Sequence, residues 1–93
     1  MSANNQTLIK EHNGKWNVFT NVMAESWGWD DEKNIPAENE LLLSSAEAVC
    51  DTRDEAYEKA LELDAKVGEW GEGSEYGVQF NRLCKDDSEV KLI

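Results

Sequence analysis

Ninety-three residues with 40% apolar content and four tryptophans make one small folded domain, because a chain this short buries about two thirds of its unfolded surface and cannot share that between two cores. The same content excludes a disordered chain, which needs low hydrophobicity and few aromatics. Twenty acids against nine bases give a net charge of −11, a field that repels nucleic acid and anionic membrane surface and attracts basic proteins.

The imbalance grows along the chain, from seven acids and three bases in residues 1–46 to thirteen and six in residues 47–93. Acidity on this scale also keeps a protein in solution, so it becomes informative only where the charges are arranged. The opening "MSANNQTLIK" has no basic segment followed by an apolar one, and no apolar run approaches the ~18 residues that span a bilayer. A cytoplasmic location without membrane contact is expected.

Residues 1–6 are polar and are expected to fray. A strand is predicted from Thr7 to about Glu11 or His12, followed by Asn13-Gly14, the pair a type I′ hairpin turn favours because both central residues need φ > 0. After the turn Trp16, Val18, Thr20 and Val22 alternate with Asn17, Phe19, Asn21 and Met23, which predicts a long strand with apolar groups on both faces. Continued onward, the alternation places Trp27 and Trp29 on one side, with Gly28 between them. The segment "DDEKNIPAENE" holds the single proline and five acids and predicts a solvated loop over 30–40. Leu41, Leu42 and Leu43 begin a third strand that runs towards Cys50, the alternative being a short helix capped by Ser44 with Glu47.

The clearest element is "DTRDEAYEKALELDAKVG". Thr52 is a good N-cap with Glu55 three residues on, a capping box in which hydroxyl and carboxylate satisfy orphan backbone donors. Ala56, Tyr57, Ala60, Leu61, Leu63 and Val67 form an apolar stripe at helical spacing, and Gly68 supplies the stop, so a helix is predicted over 53–67. A Gly-rich loop leads to a last strand between Tyr76 and Leu83, and residues 86–93 read as a frayed polar tail. The fold class is α+β: an antiparallel sheet of three to four strands with one amphipathic helix packed on one face, in the order β-β-β-α-β.

Catalysis needs a base, acid, nucleophile or metal in convergent geometry, and little here supplies one. His12 is the one histidine, beside a hairpin turn. Cys50 and Cys84 have no CxxC spacing and no neighbouring His, so reduced, partly buried thiols are expected and neither metal nor cofactor. Aligning Asp30, Glu32 and Asn34 to an EF-hand leaves Ile35 where glycine is required and Leu41 where a bidentate glutamate is required. The glycines at 68, 71, 73 and 77 follow a helix, in a loop with glutamates and no base, unlike a phosphate cradle.

Binding is the better expectation. Opposite the apolar stripe, Asp54, Glu58 and Glu62 recur every four residues, a row with about 6 Å between neighbours along the helix. A helix built only for stability would alternate opposite charges at that spacing, as Glu55 with Lys59 and Glu62 with Lys66 do, since like charges cost a few tenths of a kcal/mol. Such a row imitates a nucleic-acid backbone, and salt cancels it unless apolar anchors accompany it. Trp27 and Trp29, rimmed by Asp30, Asp31 and Glu32, have the composition of such an anchor, because tryptophan is enriched at binding hot spots. Internal packing is the competing role for those indoles, and the expected one for Trp16. Trp70, in "GEWGEG", joins the patch if its loop folds back over the sheet.

In size and charge the chain is similar to the small acidic inhibitors that phages and mobile elements direct against host restriction or CRISPR machinery. The segment "AVCDTRDEAYEKALEL" resembles the strand-to-helix transition of HicB-type antitoxins, and that resemblance implies a β-β-β-α-β domain paired with a small basic toxin. The leading expectation is therefore a non-enzymatic inhibitor of a basic nucleic-acid-binding protein. Its partner-binding residues are expected to be Trp27, Trp29, Asp30, Asp31, Glu32, Asp54, Glu58 and Glu62. The alternatives are an antitoxin-like dedicated partner and a small-molecule-binding domain that uses the tryptophans. A homodimer would arise if an edge strand carrying Val18, Val22 and Met23 paired with its own copy.

Overall fold

Asn13 (φ 52°) and Gly14 (φ 79°) form the tight turn their sequence demands, and it joins β1 (Asn5–His12) to β2 (Lys15–Met23) as an antiparallel hairpin with His12 opposite Lys15. The structure, a computed structural model, describes residues 5–25, 29–30, 35–36, 40–67, 71, 73–85, 87 and 89–93, with the backbone alone for 29–30 and 35–36. The chain continues through β3 (Trp29–Asp30), β4 (Ile35–Pro36), β5 (Glu40–Leu41), a single 3-10 turn (Leu43–Ser45), β6 (Ala48–Cys50), α1 (Arg53–Asp64), β7 (Val78–Phe80) and β8 (Lys91–Leu92).

The main sheet has the order β6-β2-β1-β7, with α1 packed against one face. The predicted α+β architecture is present, and the sheet is mostly antiparallel. Its last strand departs from the all-antiparallel expectation: β7 runs parallel to β1, with Thr7 opposite Val78 and Ile9 opposite Phe80. The helix lies in the crossover that leads to this strand, which is how a parallel pair is joined.

The predicted third strand from Leu41 is broken. Glu40–Leu41 pairs with Lys91–Leu92, Leu43–Ser45 makes the 3-10 turn with the Ser45 hydroxyl donating to the Leu42 carbonyl (2.7 Å), and Ala48–Cys50 alone joins β2. At the predicted loop over 30–40, β3 and β4 pair antiparallel, Trp29 opposite Pro36 and Asp30 opposite Ile35.

Between Gln6 and Leu8 the register of β1 slips, so that Thr20 and Asn21 of β2 together face Thr7. Asn21 has φ 57°, a left-handed conformation that asparagine tolerates and that marks a β-bulge. The extra residue flips the parity of everything after it. Val18 joins Ile9, Ala56 and Ala60 under the helix, whereas Phe19 and Val22, three residues apart, share the opposite face with Leu8, Leu83 and Val90. Strict alternation would have put Val22 on Val18's side.

That opposite face is not left apolar and open. Leu83 and Val90 close over it, Val90 is fully buried, and Leu41, Ala46 and Leu92 pack around the cluster. The expectation of a frayed 86–93 is thus corrected for residues 89–93: Val90 supplies the apolar anchor, and its amide donates to the Asn81 carbonyl (3.1 Å). Fraying of residues 1–6 is corrected for Asn5 and Gln6, both buried within β1. The edge expected to pair with a second copy is narrowed, since β6 covers β2 only over Trp16–Val18 and Val18 and Val22 are buried, which leaves residues 19–23 as the uncovered part.

Helix α1 starts at its capping signal. Thr52 is extended (φ −127°, ψ 159°), its hydroxyl accepts the Glu55 amide (3.2 Å), and that hydroxyl donates to the Glu55 carboxylate (3.1 Å). The carboxylate therefore meets the cap's hydroxyl, where a full capping box would have it take the Thr52 amide. Replacing Thr52 with alanine is expected to cost about 1 kcal/mol, read as a fall in Tm of roughly 4–8 °C; Thr52→Ser should retain most of it. The helix ends at Asp64, before the predicted 67, and the Lys66 and Val67 amides close the last turn with short bonds to Leu63 and Asp64. The predicted stop, Gly68, lies outside the described residues.

Candidate functional site

The side of α1 that meets the sheet is made by Ala56 and Ala60, both completely buried against Ile9 and Val18. Two alanines four residues apart let the helix backbone sit close to the strands, so larger neighbours on the stripe are pushed to the flanks. Tyr57 and Leu61 remain 43% and 48% exposed. The apolar stripe is therefore buried only in part, its Tyr57 and Leu61 side facing outward. Tyr57 reaches down the sheet edge to stack on Phe80, with centroids 6.0 Å apart and planes 18° from parallel, and the Arg53 guanidinium lies 4.1 Å from the centre of the same ring.

Asp54, Glu58 and Glu62 are all exposed. From the 100° step of an α-helix they occupy the pole opposite Ala56 and Ala60, as expected. Lys59 reaches back to Glu62 (3.6 Å), a pairing at i,i+3 in place of the Glu55–Lys59 pairing the spacing suggested. Glu55 is occupied by the cap. Beside the row, Cys50, Glu55, Glu58, Lys59 and Glu62 frame a shallow hollow of about 300 Å³. The outer surface of α1 thus carries two parallel rows, carboxylates at 54, 58 and 62 and apolar groups at 57 and 61.

Of the other expected contact residues, Trp29 and Asp30 are placed as backbone in β3, and Trp27, Asp31 and Glu32 lie outside the described residues, as does Trp70. Trp16 packs half-buried against the helix-side core, the role expected of it. Cys50 and Cys84 are free thiols, each half-buried. No helix among the described residues is long and apolar enough to cross a membrane.

Comparison with family models, curated proteins and solved structures returned no match. Function has therefore to be argued from the surface itself.

One charge pair outside the helix row bears on pH behaviour. Lys15 and Asp51 bond across the hairpin end of the sheet. The bond and the Asp51 charge raise Lys15 above its ordinary 10.5, and the same two effects hold Asp51 below its ordinary 3.8. The Asp51 contribution is fully present above pH 3.8 and disappears as pH falls through its depressed value; the Lys15 contribution is present below pH 10.5 and disappears as pH rises through its raised value. Both groups are exposed, so the effect is small and screened by salt. Asp51→Asn is expected to lower Tm slightly at pH 7, with the difference gone at pH 2 and at 1 M salt.

Proposed function

We propose that this chain is a non-enzymatic interaction protein that inhibits or sequesters a basic, nucleic-acid-handling protein, in the manner of phage or mobile-element inhibitors of restriction or CRISPR machinery. The observation that supports this most is the pairing of rows on α1: Asp54, Glu58 and Glu62 on an ordered helix, flanked by the exposed side chains of Tyr57 and Leu61. A DNA strand presents one charge per about 3.4 Å of axis, so a row with about 6 Å steps is a sparser line. It attracts a basic groove at long range but does not hold it in salt, and an adjacent apolar row supplies what charge cannot. The net charge of −11 works in the same direction.

The test is capture from a nuclease-treated bacterial lysate, with elution by salt and by an added DNA or RNA duplex. Recovery of a basic nucleic-acid-binding protein that the duplex displaces, and its loss when Tyr57 and Leu61 are both changed to alanine, is the expected result. A partner indifferent to duplex and to those two side chains would end this assignment. It would favour the antitoxin-like alternative, for which the β-β-β-α-β order of the main sheet and helix speaks; such a complex should resist salt.

A further inference from the structure

A second candidate surface lies at the end of β2. Pairing with β6 stops at Val18, opposite Ala48, whereas β2 continues to Met23, so among the described strands none lies beside residues 19–23 on that side. In the two-residue hairpin His12 and Lys15 face each other across the ladder. Counting by twos from Lys15, Asn17 and Phe19 bond to β1, and the residues between and after them, Val18 and Thr20, direct their backbone groups away from it; the Glu47 amide donates to the Val18 carbonyl (2.7 Å). Along this open edge runs a groove of about 420 Å³. Its floor is apolar, with Phe19, Val22, Leu83 and Val90 from the buried cluster on the side of the sheet away from α1. Glu25, Glu40 and Glu47 also line it, and among the described lining residues there is no lysine or arginine. Glu25 bonds Lys85 (3.4 Å) at the periphery and Glu47 accepts the Thr20 hydroxyl (2.9 Å).

We propose that this groove receives an extended segment of the partner, in which lysine or arginine alternates with apolar residues, added as a strand to the outer edge of β2. Main-chain bonds from an added strand give affinity and alternate side-chain pockets give selectivity. The apolar side chains of the segment would pack on Met23 and Leu41 at the mouth of the groove, and its cations would meet the glutamates. The choice of a basic occupant over a second copy of this chain follows from charge: two copies each at −11 repel, and the charged side chains among the described lining residues are all carboxylates. The proposal rests on the basic-partner assignment above but not on α1, which packs on the other face of the sheet.

The probe is a blocked hexapeptide of alternating lysine and valine, titrated into the isotope-labelled chain and followed by amide shifts and hydrogen exchange. Alternating glutamate and valine serves as its control. Expected are shifts centred on Thr20–Met23, exchange at Thr20 slowed about tenfold near 90% occupancy, and binding at least tenfold weaker in Glu40→Lys with Glu47→Lys. Neutralising Asp54, Glu58 and Glu62 should leave this binding within about twofold. Shifts spread over α1, or unchanged affinity in the double variant, would each overturn the groove. The peptide assay needs no natural partner, so its failure leaves the helix assignment standing. Conversely, peptide binding in the groove together with no captured basic protein would sink the inhibitor assignment alone.

Discussion

Replacing Gln6 with leucine is expected to cost about 2–4 kcal/mol, one of the largest effects available from a single polar side chain in this molecule. Gln6 is 0% exposed, its amide donates to the Arg82 carbonyl (2.9 Å), and its oxygen accepts the Cys84 amide (2.9 Å). Leucine is of similar size and fills the space, but it strips both backbone groups of these bonds beside the apolar Leu8 and Leu83 cluster. Each such loss costs about 1–3 kcal/mol, which the added apolar contact offsets only in part. A domain of this length has roughly 5–14 kcal/mol in all, so Tm should fall by about 10–25 °C. Gln79→Leu is the comparison. Gln79 bonds only the Tyr76 carbonyl (2.8 Å) from a half-buried site, and about 1 kcal/mol or less is expected. Equal effects in urea titrations of the two variants would show that the Gln6 clasp is not special.

Neutralising the helix row, with Asp54→Asn, Glu58→Gln and Glu62→Gln, should slow association with the captured partner by about 10- to 100-fold at low salt. Dissociation should change little. The variants remove three exposed carboxylates without touching Ala56 and Ala60, so folding is preserved, and the loss of like-charge contacts at i,i+4 makes the helix slightly more stable. Stopped-flow rates should converge with those of the unmodified chain as salt shortens the Debye length to a few ångströms. Tyr57→Ala and Leu61→Ala should do the reverse, with association nearly constant and dissociation faster. If the triple variant associates at the original rate at low salt, the row is only a solvated face.

The features legible in sequence are those governed by local chemistry. Asn13-Gly14 dictates its turn, Thr52 with Glu55 dictates a helix start, and alternation dictates the first two strands. What escaped depends on contacts distant in the chain. The bulge at Thr20–Asn21 hides inside a perfect-looking alternation, because only pairing with Thr7 makes an extra residue visible. The tail at 86–93 reads as polar, yet two apolar residues, Val90 and Leu92, are enough to anchor residues 89–93 when the sheet presents a matching cluster. The acid row was readable because a 3.6-residue period places it. Its apolar companions were not, since Tyr57 and Leu61 share the stripe with Ala56 and Ala60. The alanine pair was the available signal, marking where the helix comes closest and hence which neighbours are displaced outward.

The clasp at Gln6 also has a consequence in time. It joins positions separated by 76 and 78 residues, and β7 enters the sheet beside β1 only after the whole crossover has formed. Closing loops of that length comes before any reward from the contacts they make, which slows folding. The β1–β2 hairpin and α1 can form early from neighbouring residues, but the face bearing Phe19 and Val22 stays uncovered until Leu83 and Val90 arrive. During synthesis that exposed face is the chain's most adhesive surface, and the acidity distributed along both halves keeps such half-finished copies apart.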